Sequence, residues 1–95
     1  GNDAFVSDLF IIPLGELAKI KALTIAAHLR KNGKTVEIAF GDRALKGAMK
    51  GADKSGAKYV IVVGESEISG GTVELKEMKS GHTSSVKIDS LLEAL

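Results

Sequence analysis

The chain has 95 residues, 44% of them hydrophobic and 26% charged, a composition that fits one globular domain with one core and argues against disorder. Lys plus Arg number 13 and Asp plus Glu 12, so a formal charge of +1 gives no global drive toward a polyanion, and any such affinity must come from local clustering. The absence of cysteine removes disulfides, thiolate metal sites and cysteine nucleophiles together, and is compatible with a reducing cytosol.

In chain order, residues 1–6 read as a tail. The start at Gly1, followed by Asn2-Asp3, suggests a piece of a longer polypeptide or a tag remnant. Leu9-Phe10-Ile11-Ile12 is a continuous apolar run stopped by Pro13, as expected of a strand buried on both faces. From Glu16 to Asn32 there is no breaker. Ala18, Ala22, Ile25 and Leu29 recur at four, three and four, marking an amphipathic helix with Glu16 at its electropositive start, Arg30 and Lys31 at its other end, and Gly33 as its stop.

Thr35 to Ala39 alternates as a second strand. After the Gly41-Asp42 turn, the segment Arg43 to Lys54 reads as a short helix ended by Gly56. Lys58 to Val63 is the strongest strand of the chain. Thr72 to Met78 and Thr83 to Ile88, separated by Lys79-Ser80-Gly81-His82, predict a hairpin. Asp89-Ser90 can cap a final helix carrying Leu91, Leu92 and Leu95. The fold class expected is therefore α/β, in the order βαβαβββα: a mixed, mainly parallel five-stranded sheet flanked by three helices. In such sheets ligands collect at the carboxyl ends of the strands, and here Pro13 to Glu16, Gly41 to Arg43 and Gly64 to Glu67 converge on one rim.

Within the second helix Arg43, Lys46, Lys50 and Lys54 fall at steps of three, four and four, opposed only by Asp53, while Leu45, Ala48, Met49 and Ala52 share another face. This pattern fits either a solvated face on a core-packed helix or a phosphate-binding ridge. Glu65 and Glu67 likewise fit solvated loop acids or acceptors for base amino groups, with Lys76 and Arg43 as basic neighbours. At 4% aromatic residues a stacking platform is absent, so RNA recognition would rest on hydrogen bonds and shape.

Catalytic chemistry is not legible. Gly51-Ala52-Asp53-Lys54-Ser55 lacks the glycine directly before Lys-Ser that a phosphate loop needs, and Gly64 to Gly71 puts two carboxylates where a pyrophosphate would sit. No serine sits in a G-x-S-x-G elbow, and His28 and His82 have no ligands at metal spacing. No apolar run approaches the roughly 18 residues of a membrane span, and no leader is readable.

The ordered set Ile11-Ile12-Pro13-Leu14-Gly15-Glu16, Leu29-Arg30 to Gly33, Val36-Glu37, Gly41-Asp42-Arg43-Ala44-Leu45-Lys46, Ala52 to Ala57, Val62 to Glu67 and Gly71 to Gly81 resembles the C-terminal anticodon-binding domain of class II aminoacyl-tRNA synthetases. The Pro-Leu-Gly-Glu turn and the Lys-Glu-Met-Lys-Ser-Gly hairpin are most similar to the histidyl branch of that family. The threonine, proline and glycine enzymes and synthetase-like regulators are the alternatives. The resemblance implies anticodon contacts at Pro13, Leu14, Gly15, Asp42, Arg43, Glu67 and Lys76, with Lys46, Lys50 and Lys54 as phosphate-contact candidates. Lys76 stands where relatives of other specificity carry Arg, and an ammonium cannot make the bidentate guanidinium fork. The resemblance further implies a non-catalytic module with no cofactor or metal of its own, in a cytoplasmic, homodimeric parent ligase. That parent uses ATP and Mg in a separate catalytic domain of the same polypeptide and charges tRNA(His). The expected partner is tRNA, with neither DNA nor membrane.

Overall fold

A computed structural model of the chain describes residues 6–41 and 44–95. Its elements are β1 (Leu9–Pro13), α1 (Glu16–Lys31), β2 (Val36–Ile38), α2 (Leu45–Ser55), β3 (Tyr59–Val63), α3 (Glu65–Gly70), β4 (Thr72–Glu77), β5 (Thr83–Lys87), a 3-10 turn (Ile88–Ser90) and α4 (Leu91–Ala94). The strands form one sheet in the order β2-β1-β3-β4-β5. β1 pairs parallel with β2 and β3, whereas β3–β4 and β4–β5 are antiparallel, so β4 alone runs against the other four. This is the mixed sheet expected from the βαβαβ alternation followed by a hairpin.

Alternation along β1 divides the core in two, because successive side chains leave a strand on opposite faces. Leu9 and Ile11, with Ile61, Val63, Val73 and Leu75, pack under α1 and the C-terminal turn. Phe10 and Ile12, with Val60, pack under α2. Each helix approaches through alanines, Ala18, Ala22 and Ala26 from α1 and Ala48 and Ala52 from α2, all at most 2% exposed. Leu45 stays exposed, contrary to its expected place on the buried face; α2 begins only at Leu45, and the inward row starts one turn later at Ala48.

The helix ends follow from backbone hydrogen bonding. At the end of α1 the Lys34 N–H donates to the Leu29 carbonyl at 3.0 Å and the Gly33 N–H to Arg30 at 3.1 Å, with Gly33 at φ 87°. That reciprocal pair closes the helix where orphan carbonyls would otherwise remain. Arg30 reaches past this end and donates to the Val36 carbonyl at 2.6 Å. Val36 lies on edge strand β2, so a cation occupies an acceptor of the sheet edge.

Two expectations are corrected. The segment after β3 is a short helix, α3, and not a loop: its acids Glu65 and Glu67 sit in the first turn, Glu67 caps the Gly64 N–H, and Gly71 at φ 74° ends it. Six residues are too few to show helical periodicity in sequence. The final helix is preceded by the 3-10 turn, and neither Asp89 nor Ser90 makes a side-chain cap; the turn continues directly into α4. Among the described residues no helix is long and apolar enough to cross a membrane.

Candidate nucleic-acid interface

The face of the sheet that carries α2 is only partly covered. On β4 and β5 the residues turned to this side are Thr72, Glu74 and Lys76, opposite Lys87, Ser85 and Thr83 in register. Their counterparts on the other face include the buried Val73 and Leu75. An alternation of apolar-in and polar-out is the signature of a strand pair that meets the core on one side and solvent on the other. The result is a polar shelf beside α2.

Two adjoining hollows lie where the shelf meets the helix. One, of about 220 Å³, is lined by Met49, Val60, Val62, Glu67, Glu74, Lys76 and Thr83. The other, of about 450 Å³, is lined by Lys46, Met49, Lys50, Asp53, Lys76 and Met78. Met49 and Lys76 belong to both, so together they form one groove with an apolar floor. Its helix wall carries two ammonium groups and one carboxylate, and its shelf side carries acids and a lysine. No described residue forms an ion pair with Lys46, Lys50 or Lys76. The wall therefore offers uncommitted donors at a spacing of one helical turn.

Glu67 reaches the groove from α3 with much of its carboxylate already in use. Oε1 accepts from the Gly64 N–H at 2.8 Å and Oε2 from the Ser66 hydroxyl at 3.1 Å. A carboxylate oxygen has further lone pairs, so it can still accept from a ligand while these bonds hold it in place. The same spot joins the first loop of the rim to the third: the Leu14 N–H donates to the Val63 carbonyl at 2.9 Å, and Gly64 lies against Leu14 and Glu67. Gly15 makes that tight turn possible, with φ 98° and ψ 167°, a region only glycine occupies readily.

The site residues expected from sequence thus separate into groups. Pro13, Leu14 and Gly15 adjoin Gly64 and Glu67 at the ends of β1 and β3, and Glu67 shares the groove with Lys76, which in turn shares it with Lys46 and Lys50. Lys54 is not in the groove; it borders a hollow of about 480 Å³ on the other flank of α2, facing β2 and Phe40. Asp42 and Arg43 lie outside the described residues. Glu74, Thr83 and Ser85 went unnoticed in the sequence, although the period-two pattern of Thr-Val-Glu-Leu-Lys-Glu already assigns Glu74 and Lys76 to one face. His28 on α1 and His82 in the hairpin turn sit in separate elements.

The family model described as the anticodon binding domain matches residues 8–95. The chain belongs to that family. Among curated relatives, the histidine–tRNA ligase of Saccharopolyspora erythraea is 43% identical over 88 residues, covering 93% of this chain and 21% of that protein. The chain therefore spans about a fifth of the length of such relatives. Among solved structures, apo histidyl-tRNA synthetase of S. aureus superposes with a TM-score of 0.89 at 36% identity, over 94% of this chain and 26% of that one. The RNA binding domain of threonyl-tRNA synthetase from Cryptosporidium parvum gives a TM-score of 0.82 at 16% identity over 93% of the chain, a likeness of fold alone. Sequence thus aligns this anticodon-binding domain with the histidine ligases, while the backbone is shared more widely.

Proposed function

We propose that the domain grips the anticodon stem-loop of tRNA(His) within a histidine–tRNA ligase. The groove between α2 and the β4–β5 shelf carries this reading, because it sets an uncommitted cationic wall beside mixed donors and acceptors in a fold of the anticodon-binding family. Lys46 and Lys50 take backbone phosphates and hold the register. Glu67, Glu74, Lys76 and Thr83 meet base edges, carboxylates accepting from amino groups and the ammonium donating to carbonyl oxygens. Pro13, Leu14 and Gly15 shape the adjacent rim, and Asp42 and Arg43 are assigned anticodon contacts with them. The parent ligase acts in the cytoplasm as a homodimer, and its catalytic domain, outside this chain, uses ATP and Mg to charge the tRNA. This domain supplies no reacting group. Identity to histidine ligases favours that enzyme over the threonine, proline and glycine ligases and over the regulators.

The test is a nuclear magnetic resonance titration of the chain with a tRNA(His) anticodon stem-loop and a base-swapped control, at two salt concentrations. Amides of residues 46–50, 64–67, 76 and 83 should shift with both RNAs, more strongly and at lower concentration with the cognate loop. Immobile groove amides, or indistinguishable responses to the two loops, would refute the site or its specificity respectively.

A further inference from the structure

We propose that Met49 and Met78 form a modification site, at which a hydroperoxide converts the two thioethers to sulfoxides and thereby weakens the hold of the groove on RNA. This rests on the RNA reading above and adds a regulation to it.

The chain has two methionines and no cysteine, so these thioethers are its whole sulfur content. They come from separate parts of the fold, Met49 from α2 and Met78 from the residue after β4, yet both line the hollow of about 450 Å³ that also holds Lys46, Lys50 and Lys76. Met49 extends into the adjoining hollow of about 220 Å³, beside Val60 and Val62. Both are half-buried and pack against the core under α2, and the Met78 N–H donates to the Lys58 carbonyl at 2.9 Å, which ties its backbone to the start of β3. Because α2 turns alanines to the core, the floor between helix and shelf is left to the methionines.

Half-burial is the state in which oxidation has most effect. A fully buried thioether is shielded from the oxidant, and a fully exposed one covers nothing that needs to stay apolar. Here each thioether is open to a small peroxide from the groove and is also part of the floor that bound RNA covers.

The sulfur lone pair attacks one oxygen of the peroxide, the O–O bond breaks and an S–O bond forms. The departing oxygen takes the proton from the transferred one and leaves as water or an alcohol. Sulfur loses two electrons and the peroxide gains two. The product places a polar, chiral group in the floor, and covering it with a base costs free energy unless it has a partner. The ammonium groups of Lys46, Lys50 and Lys76 line the same hollow; a hydrogen bond accepted from one of them satisfies the sulfoxide but commits a donor that the RNA uses. Both routes weaken RNA binding. Reductases specific for each sulfoxide epimer return the thioether, so the change is reversible.

In the test, the chain is treated with hydrogen peroxide, sulfoxide at each methionine is measured by peptide mass spectrometry, and binding of the tRNA(His) anticodon stem-loop is read by fluorescence anisotropy before and after. Conversion of both methionines should weaken binding about tenfold while the chain still melts cooperatively, and the two epimer-specific reductases with dithiothreitol should restore it. In Met49→Leu with Met78→Leu, whatever the starting affinity, the ratio of affinities before and after peroxide should stay near unity. A chain that does not bind the stem-loop before peroxide is added overturns the RNA reading, and the proposal with it. Undiminished binding after both sulfoxides have formed overturns the proposal alone, as do methionines that stay reduced while free methionine in the same solution is oxidised. A peroxide effect of equal size in the double leucine variant, a loss the reductases do not reverse, or a loss of cooperative melting places the damage outside this site and likewise overturns it.

Discussion

α1 and α2 lie on opposite faces of one sheet and use the same device inward, a row of alanines that brings helix close to strand. Outward they differ: α1 shows Leu17, Ile20 and Leu23, and α2 shows Lys46, Lys50 and Lys54, with Leu45 exposed only at its start. The inward rows answer to packing density, which any helix over this sheet must satisfy. The outward rows are free of that demand. They carry an apolar row on one side of the sheet and a cationic row on the other.

The sharpest way to break this comparison is to show that the two sides of α1 are energetically alike. Leu29→Ala, at a site 1% exposed, should cost about 2–5 kcal/mol in urea unfolding, by lost transfer energy and the cavity left behind. Leu23→Ala, at 62% exposed, should stay within about 0.5 kcal/mol. A comparable loss at Leu23 would make the outer stripe part of this domain's own core.

Next in size is the turn that leads β1 into α1. Gly15 at φ 98°, ψ 167° occupies backbone space closed to a Cβ, although nothing lies within 4 Å of where one would project. Gly15→Ala should therefore cost about 1–3 kcal/mol by strain alone, lowering the melting temperature by calorimetry. An unchanged melting temperature would mean the rim turn relaxes freely, and that Pro13 and Leu14 are not held beside Glu67 by backbone geometry.

Glu67 gives a smaller effect with a built-in control. Glu67→Ala removes the acceptor for the Gly64 N–H and should cost about 0.5–2 kcal/mol, whereas Glu67→Gln keeps a capping oxygen and most of the stability. If base recognition uses the charge, the Gln variant should still lose affinity for the cognate loop by about 1–3 kcal/mol and leave the base-swapped loop unaffected. Equal losses for both RNAs would confine Glu67 to capping.

The strands and two long helices were legible because each repeats a pattern over enough residues. Ala18, Ala22, Ile25 and Leu29 describe a helix face, and Thr72 to Lys76 alternates polar with apolar. The misread elements are too short to repeat a pattern. α3 has six residues, closed by the Glu67 carboxylate on the Gly64 N–H and by the Gly71 N–H on the Glu67 carbonyl, and the 3-10 turn before α4 replaces a cap that Asp89-Ser90 only suggested. The rim loops could be placed from topology, but the groove could not, since it exists only where Met49 of α2 meets Lys76 of β4. The apolar outer stripe of α1 was in plain view as Leu17, Ile20 and Leu23. It escaped notice because the inner row already accounted for a helix.

The smallest expected effect divides the α2 lysines. Helical spacing groups Lys46, Lys50 and Lys54, yet the first two line the groove with Lys76 and the third faces β2. None contributes to the core, so Lys→Ala at each should change stability by less than about 0.5 kcal/mol. Binding should separate them. Each phosphate contact to a single-stranded loop releases counterions worth about 0.7 in the slope of log K against log salt, so Lys46→Ala with Lys50→Ala should flatten that slope by about 1.4 and weaken cognate and base-swapped loops equally. Lys54→Ala should change the slope by well under half of one contact's worth, because RNA bound in the proposed groove would lie on the far flank of the helix. Fluorescence anisotropy across several salt concentrations reads all three variants. A Lys54 effect equal to that of Lys46 would mean the RNA tracks the crest of α2 and not the groove beside it, and the outward face of this helix would then act as a uniform ridge.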